Sequence, residues 1–115
     1  MSLKDEIIIV FTHVPNRACA EAIAHALLTD NLAACVNISS PVRSIYRWQG
    51  QIEQADEIAL TIKTSGQVYA ALATKLQKLH PYELPEIVAI HASEGLPAYL
   101  QWVLAETRVS ERNND

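Results

Sequence analysis

The stretch from Val42 to Lys63 reads VRSIYRWQGQIEQADEIALTIK and lies near the middle of the chain. Its second part, Ile58 to Lys63, alternates large apolar residues with smaller or polar ones, as a strand with one buried face does. Gln49-Gly50 interrupts the stretch, and a glycine there can take the positive φ that a tight hairpin turn needs. The stretch therefore predicts a long β-hairpin. The acidic residues before the return strand are expected to stay solvated: Glu53, Asp56 and Glu57.

The segments before the hairpin predict a strand, a helix and a bent strand. Ile7 to Phe11 is a run of mainly β-branched residues, typical of a strand covered on both faces. Asn16 is a suitable N-cap for the predicted helix. The apolar residues of this helix form one stripe along its surface, and the helix ends before Asn31. Ala34 to Ile38 is extended, and Ser39-Ser40-Pro41 indicates a bulge before the hairpin strand resumes.

The segments after the hairpin predict a second helix, a fourth strand and a closing helix. The second helix opens at Ser65-Gly66, and its apolar stripe ends just before His80-Pro81. The stripe consists of Val68, Leu72, Leu76 and Leu79. Ile87 to His91 is apolar and extended, and Pro97 fits the first position of a helix that runs to about Thr107. The order β-α-β-β-α-β plus a terminal helix is the ferredoxin-like arrangement, an antiparallel sheet with two helices on one face.

Length and composition predict one α+β domain. The chain has 115 residues, half of them hydrophobic, which suits a single core. We expect the domain to span 1–115, with its core at about 6–107 and frayed ends, including Ser110–Asp115. Charged residues make up 19% of the chain, below the ~25% typical of soluble domains. This shortfall indicates that part of the surface is covered in an oligomer.

The charge pattern argues against nucleic-acid and membrane partners. The net charge is −4 and the nine basic residues are scattered, so the basic patch of a nucleic-acid binder is missing. No apolar run approaches the ~20 residues that cross a bilayer, and the polar N-terminus has no signal-peptide core. Cys19 and Cys35 have neither CxxC nor metal-ligand spacing, so we expect two buried, reduced thiols. These features predict a cytoplasmic protein.

The heptapeptide His80-Pro81-Tyr82-Glu83-Leu84-Pro85-Glu86 carries the clearest candidate site. Its two prolines restrict the backbone, so its side chains point in set directions, as in a binding loop. A neutral imidazole is a good ligand for copper or zinc, and carboxylates can add oxygen ligands. The candidate metal ligands are therefore His80, Glu83 and Glu86. One imidazole per chain makes a poor copper site by itself, and a structural hydrogen-bonding role for His80 is the alternative.

Four motifs carry a resemblance to a known family. They are LAACVN at 32–37, IYRWQGQIE at 45–53, IKT at 62–64 and HPYELPE at 80–86. Their order and spacing, within a similarity over about 6–107, resemble the CutA family of divalent-cation tolerance proteins. The resemblance implies a ferredoxin-like subunit that assembles as a homotrimer, similar to the PII signalling proteins, with hairpin edges paired across subunits. It also implies a role in tolerance of copper and other divalent metals.

The resemblance implies a copper site that this chain only partly retains. The family's site uses two adjacent histidines and a cysteine near the end of the first strand. In this chain Leu79 occupies the position of the first histidine, and Phe11 occupies the position of the cysteine. His80 is therefore the one implied ligand that remains. The expected metal is Cu²⁺ or another divalent cation, and no organic cofactor is implied.

An intersubunit cleft is the alternative site. Its expected residues are Tyr46, Trp48, Lys63, Tyr82 and Glu86. In a PII-like regulatory module this cleft would bind a small anionic metabolite or a protein partner. The aromatic rings could instead pack an interface, and Lys63 could pair with a glutamate such as Glu57 or Glu86. His13 has no evident partner. Because no hydrolase, protease or nucleotide-binding motif is present, the sequence predicts a protein that is not an enzyme.

Overall fold

The sheet has the strand order expected of a ferredoxin-like fold. The computed structural model describes residues 5–108. Its elements are β1 (Ile7–Val14), α1 (Arg17–Thr29), β2 (Cys35–Trp48), β3 (Gln51–Ser65), α2 (Tyr69–Leu79), β4 (Val88–His91) and α3 (Pro97–Glu106). The four strands lie in the order β2-β3-β1-β4, and every neighbouring pair is antiparallel. The predicted α+β order of elements is confirmed.

β2 and β3 form the long hairpin predicted from the sequence. They pair as far as Trp48 opposite Gln51. Gln49 and Gly50 make the two-residue turn with φ values of 50° and 80°, and positive φ at both positions is the requirement of a type I′ turn. β3 begins at Gln51 and not at Ile58, because pairing with β2 also holds the polar segment extended.

The predicted helix cap, the predicted helix end and the predicted strand bulge are confirmed. The Asn16 side chain accepts a hydrogen bond from the Cys19 backbone N–H at 2.8 Å and caps α1. Asn31 takes a φ of 59°, the left-handed conformation that commonly follows a helix end. The pairing of β2 with β3 shifts between Ile38 and Pro41, as expected of a strand that contains proline.

One face of the sheet packs against α1 and α2 and forms the core. The even-numbered residues of β1, and those of β3 from Ile58 onward, lie on this face and are buried. The core consists of Ile8, Val10, Val14, Ala20, Ile23, Leu27, Ala33, Ile58, Leu60, Ile62, Leu72 and Leu76. Thr64 is buried here too, and its hydroxyl donates to the Leu32 carbonyl at 2.7 Å. The odd-numbered residues of both strands therefore lie on the opposite face.

The boundaries after the hairpin differ slightly from the prediction. Leu79 ends α2 but is 41% exposed, so the buried stripe ends at Leu76. The reason is that Leu79 is the last helical residue, and the chain leaves the helix at once. α2 begins at Tyr69 and not at Ser65-Gly66, because Ser65 is still paired with β1 as part of β3. β4 begins at Val88, whereas α3 begins at Pro97 as predicted.

α3 is anchored to the end of β3. Val103 is buried, and the Thr107 hydroxyl donates to its carbonyl at 2.8 Å. The same hydroxyl is hydrogen-bonded to the Ser65 hydroxyl, also at 2.8 Å. No helix within residues 5–108 is both long and apolar enough to cross a membrane. The end predicted to fray, Ser110–Asp115, lies outside the described residues.

The two cysteines are free, as predicted, but neither is fully buried. Cys19 on α1 and Cys35 at the start of β2 are both partly exposed. Burial of the Cys19 side chain is still sufficient to raise the pKa of its thiol above the ordinary value. Cys19 is therefore a neutral thiol at physiological pH.

Candidate functional site

His80 is a buried residue whose ring nitrogens both have partners. It follows α2 with an extended backbone and is 7% exposed. Nε2 donates to the His13 carbonyl at 2.9 Å and lies 3.0 Å from the Thr12 hydroxyl. Nδ1 accepts from the Tyr82 backbone N–H at 3.3 Å. These partners define a neutral imidazole whose lone pair is already used.

Burial also lowers the pKa of His80 below its ordinary value. The backbone hydrogen bond with His13 and the charges of Glu57 and Glu86 oppose this shift but do not cancel it. The ring therefore stays neutral at physiological pH. A metal ion could reach its lone pair only by displacing the Tyr82 N–H, so the geometry around His80 suits a structural role.

Tyr82 and Glu57 form a second partly buried pair. The Tyr82 hydroxyl donates to Glu57 Oε2 at 2.6 Å. Burial, followed by the hydrogen bond to Glu57 and its charge, raises the pKa of Tyr82 well above its usual range, so the phenol remains a donor. Glu57 is only 8% exposed, and the expectation that it stays solvated is wrong. It is buried because it lies on the sheet face that the 81–86 loop covers.

His13 has a partner that the sequence did not reveal. Its Nδ1 lies 2.7 Å from Glu86 Oε1, across 73 positions of sequence. β1 continues to Val14, three residues beyond the predicted Phe11, and this extension carries His13 to the end of the free sheet face. The available signal was the alternation of β1, which puts His13 on the same face as Phe11.

A cleft of about 780 Å³ lies between the hairpin and the 81–86 loop. We call it the hairpin–loop cleft. It is lined by His13, Ser44, Tyr46, Trp48, Ala55, Glu57, Pro81, Tyr82, Glu83, Leu84 and Glu86. Four of the five residues expected in an intersubunit cleft therefore lie together, and two of the three expected metal ligands, Glu83 and Glu86, lie there with them.

Lys63 is the expected cleft residue that lies elsewhere. It occupies the same sheet face as Glu57 but is six residues farther along β3, which is roughly 20 Å in a strand. Its ammonium donates to Asn37 Oδ1 at 2.5 Å on the neighbouring strand. The expected pairing with a glutamate is therefore replaced by this local hydrogen bond.

The hairpin–loop cleft is mainly negatively charged. Glu57, Glu83 and Glu86 line it with a single imidazole, that of His13, and no lysine or arginine is among its lining residues. Within residues 5–108 no group of three or more histidine, cysteine or acidic residues could by itself hold a metal ion. Residues 5–108 thus provide an acidic cleft with good donor types but no complete set of metal ligands.

Comparisons with known proteins agree with this fold. The family model described as CutA1 divalent ion tolerance protein matches residues 8–106. The divalent-cation tolerance protein CutA of Thermus thermophilus is 42% identical over 99 residues, which are 86% of this chain and 96% of that protein. The human protein CutA is 41% identical over 93 residues, 81% of this chain, but the match spans only 52% of the human protein.

A solved structure extends the likeness to three dimensions. The crystal structure of CutA from Xylella fastidiosa superposes with a TM-score of 0.86 at 43% sequence identity. The match covers 89% of this chain and 98% of that one. Because the family model covers most of the chain and the relatives exceed 40% identity, the chain belongs to the CutA family of divalent-cation tolerance proteins.

Proposed function

We propose that this protein acts in tolerance of divalent cations, as a protein that binds cations in the hairpin–loop cleft and is not an enzyme. The observation that carries the proposal is the negative charge of this cleft. Three glutamates and one histidine line it, and its lining residues include no lysine or arginine. A concave surface with one sign of charge concentrates counter-ions. The family description, divalent ion tolerance, supports the same conclusion.

Cu²⁺ or another divalent cation is the first ligand we propose. The His13 Nδ1–H donates to Glu86 Oε1 at 2.7 Å, so Nε2 of His13 is the nitrogen that keeps a lone pair, and the carboxylates of Glu86 and Glu83 line the same cleft. Imidazole suits copper and zinc, and carboxylate adds negative charge. Because residues 5–108 of one chain lack a complete set of ligands, we propose weak binding completed by water or by a neighbouring subunit. A bound ion would supply positive charge to the acidic cleft.

Calorimetric titration of chelator-stripped protein with Cu²⁺ tests this assignment. His13→Ala should bind Cu²⁺ at least about tenfold more weakly than wild type, a change of ~1.4 kcal/mol in binding free energy. His25→Ala removes an exposed histidine of α1 and should bind like wild type. Equal binding by His13→Ala and wild type would remove the metal from the proposal.

The same titration decides the part played by His80, the ligand that the family resemblance implies. If His80 is structural, a folded His80→Ala variant should still bind Cu²⁺ while its stability falls. If His80 is a ligand, binding should be lost although circular dichroism shows a folded protein. Either result assigns His80, since the two roles predict opposite changes in binding.

We also propose that the working form is a homotrimer. Support comes from large apolar side chains that are exposed on β4 and near the tip of the hairpin. On β4, Val88 and Ile90 are 52% and 49% exposed, and in the hairpin Ile45 and Ile52 are 64% and 67% exposed. Covering such surface gains roughly 25 cal/mol per Å² and protects open strand edges from aggregation.

A PII-like regulatory module is the second candidate function, and the size of the hairpin–loop cleft favours it. Such a module would bind a small anionic metabolite or a protein partner at a cleft between subunits. Lys63, the residue expected to attract an anion, is bonded to Asn37 outside this cleft, so an anion is the less favoured ligand. In a thermal-shift screen with nucleotides and carboxylates, a rise in Tm that survives a chelator would support the anionic ligand, and no rise would reject it.

A cytoplasmic location completes the proposal. The two thiols are free, as in proteins of reducing compartments. Relatives are named for other compartments: one from Arabidopsis thaliana is called chloroplastic, and a structure from Archaeoglobus fulgidus is described as periplasmic. Cell fractionation followed by immunoblotting is the direct test, and recovery of the protein outside the cytoplasmic fraction would contradict this part.

A further inference from the structure

Glu57 keeps a carboxylate oxygen that the fold does not use. Its side chain is 8% exposed and lines the hairpin–loop cleft. Oε2 accepts from the Tyr82 hydroxyl, whereas no hydrogen bond from residues 5–108 reaches Oε1. Oε1 is not sealed off from the cleft, so it can accept a further hydrogen bond from a ligand. The cleft therefore offers a place for a hydrogen-bond donor, preferably a positively charged one.

Aromatic rings line the same cleft. Tyr46 and Trp48 are two residues apart on β2, so both side chains lie on one face of the hairpin. Tyr82 lines the cleft from the loop, and Leu84 adds an apolar surface. The faces of such rings attract cations and cover the carbon skeleton of a ligand.

We infer that the hairpin–loop cleft binds a small organic amine in its protonated form. The ammonium group would donate to Glu57 Oε1, with the charge of Glu86 close by, and the carbon skeleton would lie against Trp48 and Tyr46. A bare metal ion would use the carboxylates but not the rings. A neutral aromatic compound would use the rings but not the charge, and the carboxylates would repel an anion.

This inference rests on the proposed cation-binding role of the cleft but not on the metal. The test compares three probes that share a phenyl ring on a short alkyl chain and differ in charge: phenethylamine, 2-phenylethanol and 3-phenylpropionate. Calorimetry in a buffer that contains a chelator measures their affinities for the full chain. We expect phenethylamine to bind at least about tenfold more tightly than the other two, the scale of one charge-assisted hydrogen bond.

Two variants of the hairpin locate the interaction. Glu57→Gln keeps an acceptor for Tyr82 but removes the charge, and it should weaken phenethylamine binding by at least about tenfold. Glu53→Gln removes an equal charge from the same hairpin face outside the lining residues, and it should leave the affinity unchanged. Circular dichroism confirms that both variants fold.

Similar affinities for all three probes, or undiminished binding by a folded Glu57→Gln variant, would overturn the inference. The outcome is independent of Cu²⁺ titration. If Cu²⁺ binds and phenethylamine does not, the inference fails and the metal proposal stands. If phenethylamine binds and Cu²⁺ does not, the inference stands and the metal proposal fails.

Discussion

At the scale of the residue, hydrogen-bond partners separate a structural histidine from an available one. His80 is enclosed, with Nε2 on the His13 carbonyl and Nδ1 on the Tyr82 N–H. His13 itself is partly exposed and points its Nδ1 at Glu86 in the hairpin–loop cleft. His80, the histidine of the heptapeptide, thus stabilises the loop, whereas His13 lines the cleft.

The lowered pKa of His80 predicts how stability depends on pH. The folded state holds His80 neutral below its ordinary pKa of 6.5, whereas the unfolded chain takes up a proton near that value. The contribution of the neutral His80 to the free energy of unfolding is therefore complete above pH 6.5 and is lost as the pH falls toward the folded-state pKa. We expect urea unfolding at fixed protein concentration to show a decrease in stability from pH 7 to pH 5.

Two variants isolate this effect. His80→Gln should show a shallower pH dependence in that range, although it is less stable at pH 7. His25→Gln removes an exposed histidine and should retain the wild-type slope. If His80→Gln keeps the full slope, the titrating group is a residue other than His80.

Removing the Tyr82 hydroxyl should destabilise the fold. In Tyr82→Phe the buried Glu57 carboxylate would lose its donor, and an unsatisfied buried acceptor costs about 1–3 kcal/mol. Tyr46→Phe is the matched control, since the Tyr46 hydroxyl has no hydrogen-bond partner among residues 5–108 and its ring is 44% exposed. Urea unfolding measures both, and equal stabilities would show that the Tyr82–Glu57 bond contributes nothing.

At the scale of the element, local patterns predicted the order of strands and helices but long-range pairing decided their lengths. The cap at Asn16 and the turn at Gln49-Gly50 depend on neighbouring residues alone, and both are confirmed. The first half of β3, Gln51 to Glu57, is mainly polar and has no buried apolar stripe, so its partner strand is what makes it extended. The burial of Glu57 follows from a contact with Tyr82, 25 positions away, and no local pattern encodes it.

The type I′ turn provides a matched pair of substitutions. Gly50 has a φ of 80° with nothing within 4 Å of an added Cβ, so Gly50→Ala should cost about 1–2 kcal/mol through backbone strain alone. Gln49 also has positive φ, so Gln49→Gly relieves strain there and should be neutral or stabilising. Thermal unfolding compares them, and a neutral Gly50→Ala would contradict the turn assignment.

At the scale of the whole molecule, the apolar surface indicates self-association. The sheet face opposite α1 and α2 carries Ile9 and Phe11 beside the exposed Ile90 and Val88. An open face of this kind favours a partner of the same chain, and the homotrimer that the family resemblance implies would cover it.

Light scattering at micromolar concentration should therefore give about three times the 12.7 kDa of one chain. Ile90→Lys should lower the measured mass, because it places a charge on the apolar sheet face. Leu28→Lys alters an exposed leucine of α1 on the helix side and should leave the mass unchanged. A monomeric mass for the wild type would contradict the proposed assembly.

The two tryptophans allow a direct measurement of whether cations bind in the hairpin–loop cleft. Cu²⁺ quenches indole emission only at short range. Trp48 lines the cleft, whereas Trp102 lies on α3, which packs near the other end of β3. In Trp102→Phe, with Trp48 as the sole indole, we predict saturable quenching by Cu²⁺ that the added substitution His13→Ala removes. Quenching of equal extent in Trp48→Phe, or quenching unaffected by His13→Ala, would contradict the assignment of the cleft.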